Sequence, residues 1–246
     1  MKLSIVIPFY NEEENVEPVL SEIRRLYPEA QVIAVDDCST DGTYTVLHSQ
    51  PNIQVERLPL HLGQSAAIYR GLSLATGEVC VLMDGDGQTS ASDISLLLEH
   101  FPDYDFVNGY RVRRSDKPSR VIASRVANFV RNLFTRDGMR DTGGTPKAMK
   151  RECVRHLVPF DGLHRFIPAM LRSAGFRVLE VPVSHRERMH GHTKYSNAGR
   201  AFRGAWDLLG VVWLLGRKLD VRKLEVEMDR REESSRESHR PGVHDD

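Results

Sequence analysis

Short runs of β-formers alternate with helix-periodic stretches through the first half of this chain. Residues 3–8, 31–35, 53–58 and 79–83 are apolar runs of strand length. Between them, residues 12–26 repeat with helical period, and GQSAAIYRGLSLAT predicts a helix closed by Gly77. Residues 105–109 predict a fifth strand, and residues 177–183 a further strand ahead of the segment HRERMHGHTKYS. From about Lys117 the text turns helical and basic. This β-α-β-α order predicts an α/β fold, a mostly parallel sheet with helices on both faces. The expected organisation is an α/β domain over 1–199, an amphipathic helical region over 200–229, and a charged tail over 230–246. That tail is too poor in apolar residues to pack.

Three of the strands end in polar groups: PFYNE, VDDCSTDG and MDGDGQ. Carboxyl ends of parallel strands share one edge of a sheet, so the three loops should converge there. Asp84 and Asp86 stand one residue apart at the end of a buried strand. Carboxylates so close repel each other unless a cation or a proton relieves them. A calcium loop is excluded, because Thr89 and Ser95 stand where that loop needs Gly and Glu. The pattern suits Mg²⁺ or Mn²⁺ bridging a substrate diphosphate. Gly85 and Gly87 would leave room for a bulky ligand. After the second strand, Ser39, Thr40 or Asp41 predicts a helix N-cap. Asp36 and Asp37 are not needed for it, so one of them is expected to face a ligand. There is no GxxxxGK[ST] loop and no GxGxxG fingerprint, which argues against a P-loop ATP site or a dinucleotide.

Composition narrows the partners. Lys plus Arg and Asp plus Glu both number 34, so no global field advertises nucleic acid. Three cysteines without paired spacing suggest neither disulfides nor zinc and fit a reducing cytosol. The N-terminus does not read as a signal peptide, and no stretch reaches the ~20 apolar residues of a membrane span. The apolar run 206–215 carries Trp206 and Trp213, with Arg200, Arg203, Arg217 and Lys218 at its flanks. That pattern suits a helix lying at a membrane interface, or equally one packed on the catalytic domain or a partner. Val221, Leu224 and Met228 continue a stripe suited to self-association as a homo-oligomer.

The motifs IVIPFYNEEENV, AVDDCSTDGT, HLGQSAAIYRGLSLATGE and VLMDGDGQ, in this order, resemble family 2 glycosyltransferases of the GT-A fold. NGYR, SRVIASRVAN, DTGGTPKAMKRE and EVPVSHRERMHGHTKYS sharpen the likeness toward the dolichol-phosphate mannose synthase branch and its bacterial polyprenyl-phosphate relatives. The resemblance implies a Rossmann-like nucleotide-diphospho-sugar transferase. It would move a sugar from GDP-mannose or a UDP-sugar to a polyprenyl phosphate with inversion, for cell-envelope glycan or glycolipid synthesis at the cytoplasmic face of a membrane.

Carried over residue by residue, Pro8, Tyr10, Glu12, Val35 and Asp37 would hold the nucleoside. Asp84, Gly85 and Asp86 would hold the diphosphate and sugar, with Asp84, Asp86 and Gln88 around the metal. Arg111, Arg120 and Ser124 match positions contacting the acceptor phosphate. Arg188 and Lys194 match groups on the donor phosphates, in a polar loop suited to closing over the site. Asp141 is an active-site candidate near the sugar, and His164 and Arg165 are candidates for the same cleft. TGGT departs from the family's usual Ser/Thr-Gly-Phe, and HLG stands where Asn or Lys usually precedes Gly.

The chemistry is consistent with that assignment. A phosphate monoester is already anionic at neutral pH, so it needs cations to receive it and no strong base. The basic stretch from Arg111 to Arg136, including Arg131, would supply them. Three alternatives stay open at this point: a saccharide acceptor, a non-catalytic sugar-nucleotide-binding domain, and a nucleotidyltransferase. The last is disfavoured by the acidic PFYNEEEN after the first strand.

Overall fold

The computed structural model describes residues 1–112, 118–184, 186, 197–217, 227, 228, 230 and 231, with the backbone alone over 118–125 and 197–203. β1 (Leu3–Phe9) leads into α1 (Glu13–Leu26), and β2 (Gln31–Asp36) into α2 (Thr43–His48). β3 (Gln54–Arg57), α3 (Gln64–Leu74), β4 (Val79–Leu82) and α4 (Asp93–Leu98) complete the alternating half. The second half holds β5 (Phe106–Arg111), α5 (Pro118–Thr135), β6 (Lys147–Lys150) and α6 (Arg151–Val154). α7 (Ile167–Ser173), β7 (Val178–Val183) and α8 (Asn197–Arg217) follow.

These strands form one sheet in the order β3-β2-β1-β4-β6-β5-β7. All neighbours run parallel except β6, which is antiparallel to both β4 and β5. β6 departs from the sequence expectation: KAMK is short, and lysines at both ends hide its apolar character. β1 and β4 are buried on both faces, as central parallel strands are. Alternate side chains feed two cores. Ile5, Ile7 and Phe9 meet α1 and α4 through Val16, Leu20, Ile23, Ile94 and Leu97. Val6, Ile33 and Leu82 meet α3, α7 and α8 through Ile68, Leu72, Met170, Leu208 and Val211.

Two boundaries differ from expectation. α3 stops at Leu74, ahead of Gly77. There Gln31 Oε1 accepts the Thr76 N–H and Ser4 Oγ accepts the Gly77 N–H, which ties the turn to β1 and β2. The expected division at 199/200 falls inside α8, whose Leu208 and Val211 belong to the hydrophobic core under the sheet. α8 thus packs on the domain along one face, while Trp206, Leu209 and Trp213 stand exposed on another. Among the described residues no helix is long and apolar enough to cross a membrane. Val221 and Leu224, and the tail apart from Arg230 and Arg231, lie outside the described residues.

Candidate active site

The loops after β1 and β2 are laced together at the carboxyl edge of the sheet. The Asn11 N–H donates to Ser39 Oγ at 2.9 Å, the Thr40 N–H to Asn11 Oδ1 at 2.8 Å, and the Glu12 N–H to Thr43 Oγ1 at 2.8 Å. The cap differs from expectation: Gly42 is the N-cap of α2 and makes no side-chain cap bond, while Asp41 just before it accepts the Thr43 N–H at 3.0 Å and its hydroxyl at 2.6 Å. Asp36 is fully buried, accepts the Ser39 N–H and lies 3.2 Å from Arg57. Asp37 is buried too. It accepts the Leu62 N–H at 2.8 Å and the Gly63 N–H at 2.9 Å, and its Oδ2 lies 2.8 Å from His61 Nδ1. The His61 ring in turn stacks on Tyr10, with centroids 3.9 Å apart. Pro8 and Glu12 flank this group half-buried, and the Glu12 carboxylate accepts from Asn15 Nδ2. Val35 differs from the carried-over role, because its side chain has no exposed surface and packs in the core with α3.

Asp84 and Asp86 stand where β4 ends. Asp84 accepts from Gln64 Nε2 and from Thr145 Oγ1, both at 2.8 Å, and Thr145 is itself joined to Thr89. Asp86 Oδ1 accepts the Gln88 N–H at 3.1 Å, a turn that orients the carboxylate. The Asp84 carboxyl is pushed up to about 6, first by burial and then by the Asp86 charge, against the Thr145 bond, Lys147 and Arg111. Two hard oxygen ligands that repel each other in a site of this kind suit a divalent cation. The bareness of Gly85 has a different cause from the one expected. A Cβ there would lie 2.6 Å from Phe9 Cδ1 and 2.7 Å from the Pro8 carbonyl, so the glycine lets β1 and the loop after β4 close together.

The far wall comes from β5, β6, β7 and the loop DTGGT. Arg111 grips Asp141 with two bonds, Nε to Oδ2 at 2.8 Å and Nη2 to Oδ1 at 3.2 Å. Beneath them Lys147 is almost fully buried, and burial lowers its ammonium to about 8 against the opposing charges of Asp84 and Asp141. Glu180 accepts the backbone N–H groups of Arg140 and Asp141 at 2.9–3.0 Å, and Asn108 Nδ2 donates to the Asp141 carbonyl. Lys147, Glu180, Asn108, Gln64 and Thr145 escaped the sequence reading. For Asn108, Lys147 and Glu180 the available signal was a polar residue within an apolar strand, as in VLEVPV; Gln64 in α3 and Thr145 in a loop carried no such signal. Arg131 differs from its expected role as a phosphate receiver: all five of its N–H donors are spent on Asp137, Asn128, Thr142 and Met139.

The side chains of Arg120 and Ser124, and all of Arg188 and Lys194, lie outside the described residues. Arg186, at the threshold of that segment, is held by the Gln88 carbonyl through its N–H and by Glu22 and Ser90 through its guanidinium. His164 Nδ1 lies 2.8 Å from Ser65 Oγ, and Arg165 pairs with Asp207 of α8. Both residues bind helix to helix in these contacts.

Comparison with known proteins places this architecture. A model for glycosyl transferase family 2 matches residues 4–158. Dodecaprenyl-phosphate galacturonate synthase of Rhizobium johnstonii is 31% identical over 229 residues, 87% of this chain and 68% of that protein. Undecaprenyl-phosphate 4-deoxy-4-formamido-L-arabinose transferase of Proteus mirabilis is 31% identical over 79% of this chain and 63% of its own length. The chain therefore spans about two thirds of the length of these relatives. Glucosyl-3-phosphoglycerate synthase from Mycobacterium tuberculosis, solved with Mn²⁺, UDP and phosphoglyceric acid, superposes with a TM-score of 0.67 at 18% identity, covering 87% of this chain and 77% of that one. The strand order, the paired carboxylates at the sheet edge and these matches converge: the chain belongs to glycosyl transferase family 2.

Proposed function

We propose that this protein transfers a sugar from a nucleotide-diphosphate sugar to a polyprenyl phosphate, with inversion at the anomeric carbon. The observation that carries this reading is the bidentate engagement of Asp141 by Arg111, in the same charge network as Asp84 and Lys147. A carboxylate held by a guanidinium is a poor general base, which an alcohol acceptor would require and an anionic phosphate would not. Arg111, with Arg120 and Ser124, is assigned to the acceptor phosphate. Tyr10, Asp37 and the Pro8–Glu12 loop are assigned to the nucleoside, and Arg188 and Lys194 to the donor phosphates. Asp84 and Asp86, with Gln88 beside them, would hold Mg²⁺ or Mn²⁺, which neutralises charge on the departing diphosphate. The two relatives, a dodecaprenyl-phosphate galacturonate synthase and an undecaprenyl-phosphate 4-deoxy-4-formamido-L-arabinose transferase, support the acceptor class.

The test is a transfer screen of the purified protein with UDP- and GDP-sugars, with and without undecaprenyl phosphate in detergent. Nucleotide diphosphate is expected to appear only with the lipid phosphate. Release with saccharide acceptors alone would overturn the acceptor assignment.

A lipid acceptor also requires a docking face. α5 and α8 pack against each other, and their outer stripes expose Val126, Phe129, Leu133 and Phe134 on one and Trp206, Leu209 and Trp213 on the other. The sequence over 118–136 contains four arginines and no acid. In α8 the single acid, Asp207, is paired with Arg165. An apolar face on two helices whose sequences also carry Arg120, Arg125 and Arg217, with Arg136 just beyond α5 and Arg131 turned inward to Asp137, suits the interface of an anionic bilayer. Phe129→Ser combined with Trp213→Ser is expected to lower co-sedimentation with phosphatidylglycerol-containing vesicles by about tenfold or more per aromatic lost from the apolar phase. Unchanged sedimentation would move this face to a contact between protein copies, which light scattering would register.

A further inference from the structure

We propose that His61 is an internal stand-in for the donor's nucleobase, so that nucleotide binding must displace it and its side chain sets donor affinity. This rests on the reading that Tyr10 and Asp37 hold the nucleoside. A base bound there needs an aromatic face to stack on and an acceptor for a ring or exocyclic N–H. In this structure His61 takes both. Its imidazole lies on the Tyr10 ring at 3.9 Å with 15° between planes, and its Nδ1 lies 2.8 Å from Asp37 Oδ2. The same nitrogen is 3.3 Å from the Asp37 carbonyl. Uracil and guanine present the same pair of features, a flat π face and a ring N–H. Two rings cannot share one face of Tyr10, nor can two donors share one lone pair of Asp37.

The surroundings allow His61 to leave without unfolding the loop. Its side chain is 42% exposed, and the neighbouring Leu60 and Leu62 side chains also stand in solvent. The chain immediately after it is pinned independently, because the Leu62 and Gly63 N–H groups are donated to Asp37. Gly63 holds φ +87°, a conformation that fixes this turn and that side chains rarely adopt. The backbone anchor and the ring are therefore separable: the side chain can swing out while Asp37 stays oriented for an incoming base. Until it does, only the fraction of molecules with His61 displaced is competent, and the apparent affinity is reduced by that fraction.

Calorimetric titration of UDP and GDP with Mg²⁺ into wild type, His61→Ala and His61→Phe tests the idea. His61→Ala is expected to tighten the preferred nucleotide by about tenfold, with an unchanged melting temperature because both backbone anchors remain. His61→Phe keeps the stack and loses the Asp37 bond, so it should fall between the two. In wild type labelled at histidine, nucleotide should move the His61 ring resonance out of the shielding of Tyr10, with the variant spectrum giving the assignment. Binding that is weakened or unchanged in His61→Ala, with nucleotide still bound, would overturn the stand-in and leave the donor reading intact. Absence of binding to wild type and variants alike would remove both together.

Discussion

Asp86→Asn is expected to abolish sugar transfer and the protein's response to divalent ions, while leaving the ion-free protein at least as stable at neutral pH. The argument begins with the Asp84 carboxyl, raised to about 6 by burial and by the charge of Asp86. An acid whose folded pKa is raised stabilises the fold while protonated. That contribution is present below the ordinary Asp range, near 4, and is lost as pH rises through about 6. At pH 7.5 the ion-free wild type therefore carries two mutually repelling carboxylates. Asparagine removes one charge while its Oδ1 can still accept the Gln88 N–H. Relief of repulsion should thus offset the small loss of orientation. In wild type, Mg²⁺ or Mn²⁺ at about 100 times its Kd should stabilise by about 2.7 kcal/mol, or about 5–10 °C in Tm. The shift should be larger at pH 7.5 than at pH 5, where protons compete for Asp84. In Asp86→Asn the shift should vanish, and turnover should fall by about 10³-fold or more, about 4 kcal/mol at the transition state. Differential scanning fluorimetry at the two pH values, run beside the transfer assay, separates these effects. A variant that keeps both the ion-induced shift and turnover would move the cation away from Asp84 and Asp86.

How much of this was legible beforehand follows from where each residue's partners lie. The strands at 3–8, 31–35 and 79–83 announce themselves because both their faces are buried, so the apolar run is continuous. Asp84 and Asp86 are legible for the complementary reason: charge at the end of such a run has to be explained. Lys147, Glu180 and Arg131 are not legible. Each is a charged side chain made tolerable inside the fold by its partners, which for Lys147 and Glu180 are brought in by tertiary contacts and for Arg131 by the turn after α5. The bond from Arg140 to Glu180, for example, spans 40 residues of sequence. The reading of Arg131 shows the cost of working from charge alone. A basic stretch resembles a phosphate site whether its arginines face solvent or a buried carboxylate. His61 was noticed as an irregularity of HLG, yet its stack on Tyr10 depends on how the third strand returns to the edge of the sheet.

Arg131 also carries the largest expected stability effect. Arg131 is 6% exposed and Asp137 is fully buried, joined by bonds of 2.9 and 3.3 Å. The same arginine donates to Met139 O at 2.6 Å and Thr142 Oγ1 at 2.7 Å, so it ties α5 to the loop that presents Asp141. Arg131→Met should cost about 3–5 kcal/mol, because it leaves the Asp137 charge buried without its counter-charge, with only the Thr135 hydroxyl and the Met139 N–H still donating to it. For a chain of this size that is a fall of at least about 6 °C in Tm. Adding Asp137→Asn removes the orphaned charge and keeps an acceptor for the Met139 N–H, so the double variant should regain most of that stability. It should not regain turnover. The anchors on Met139 and Thr142 remain absent, and the loop holding Asp141 against Arg111 loses its support from α5. Urea melts give the coupling energy of the pair, and the transfer assay on the refolded double variant gives the second quantity. Recovery of stability and turnover together would reduce Arg131 to a folding element. Recovery of stability alone makes it the residue that holds α5 and the Asp141 loop in register for the acceptor.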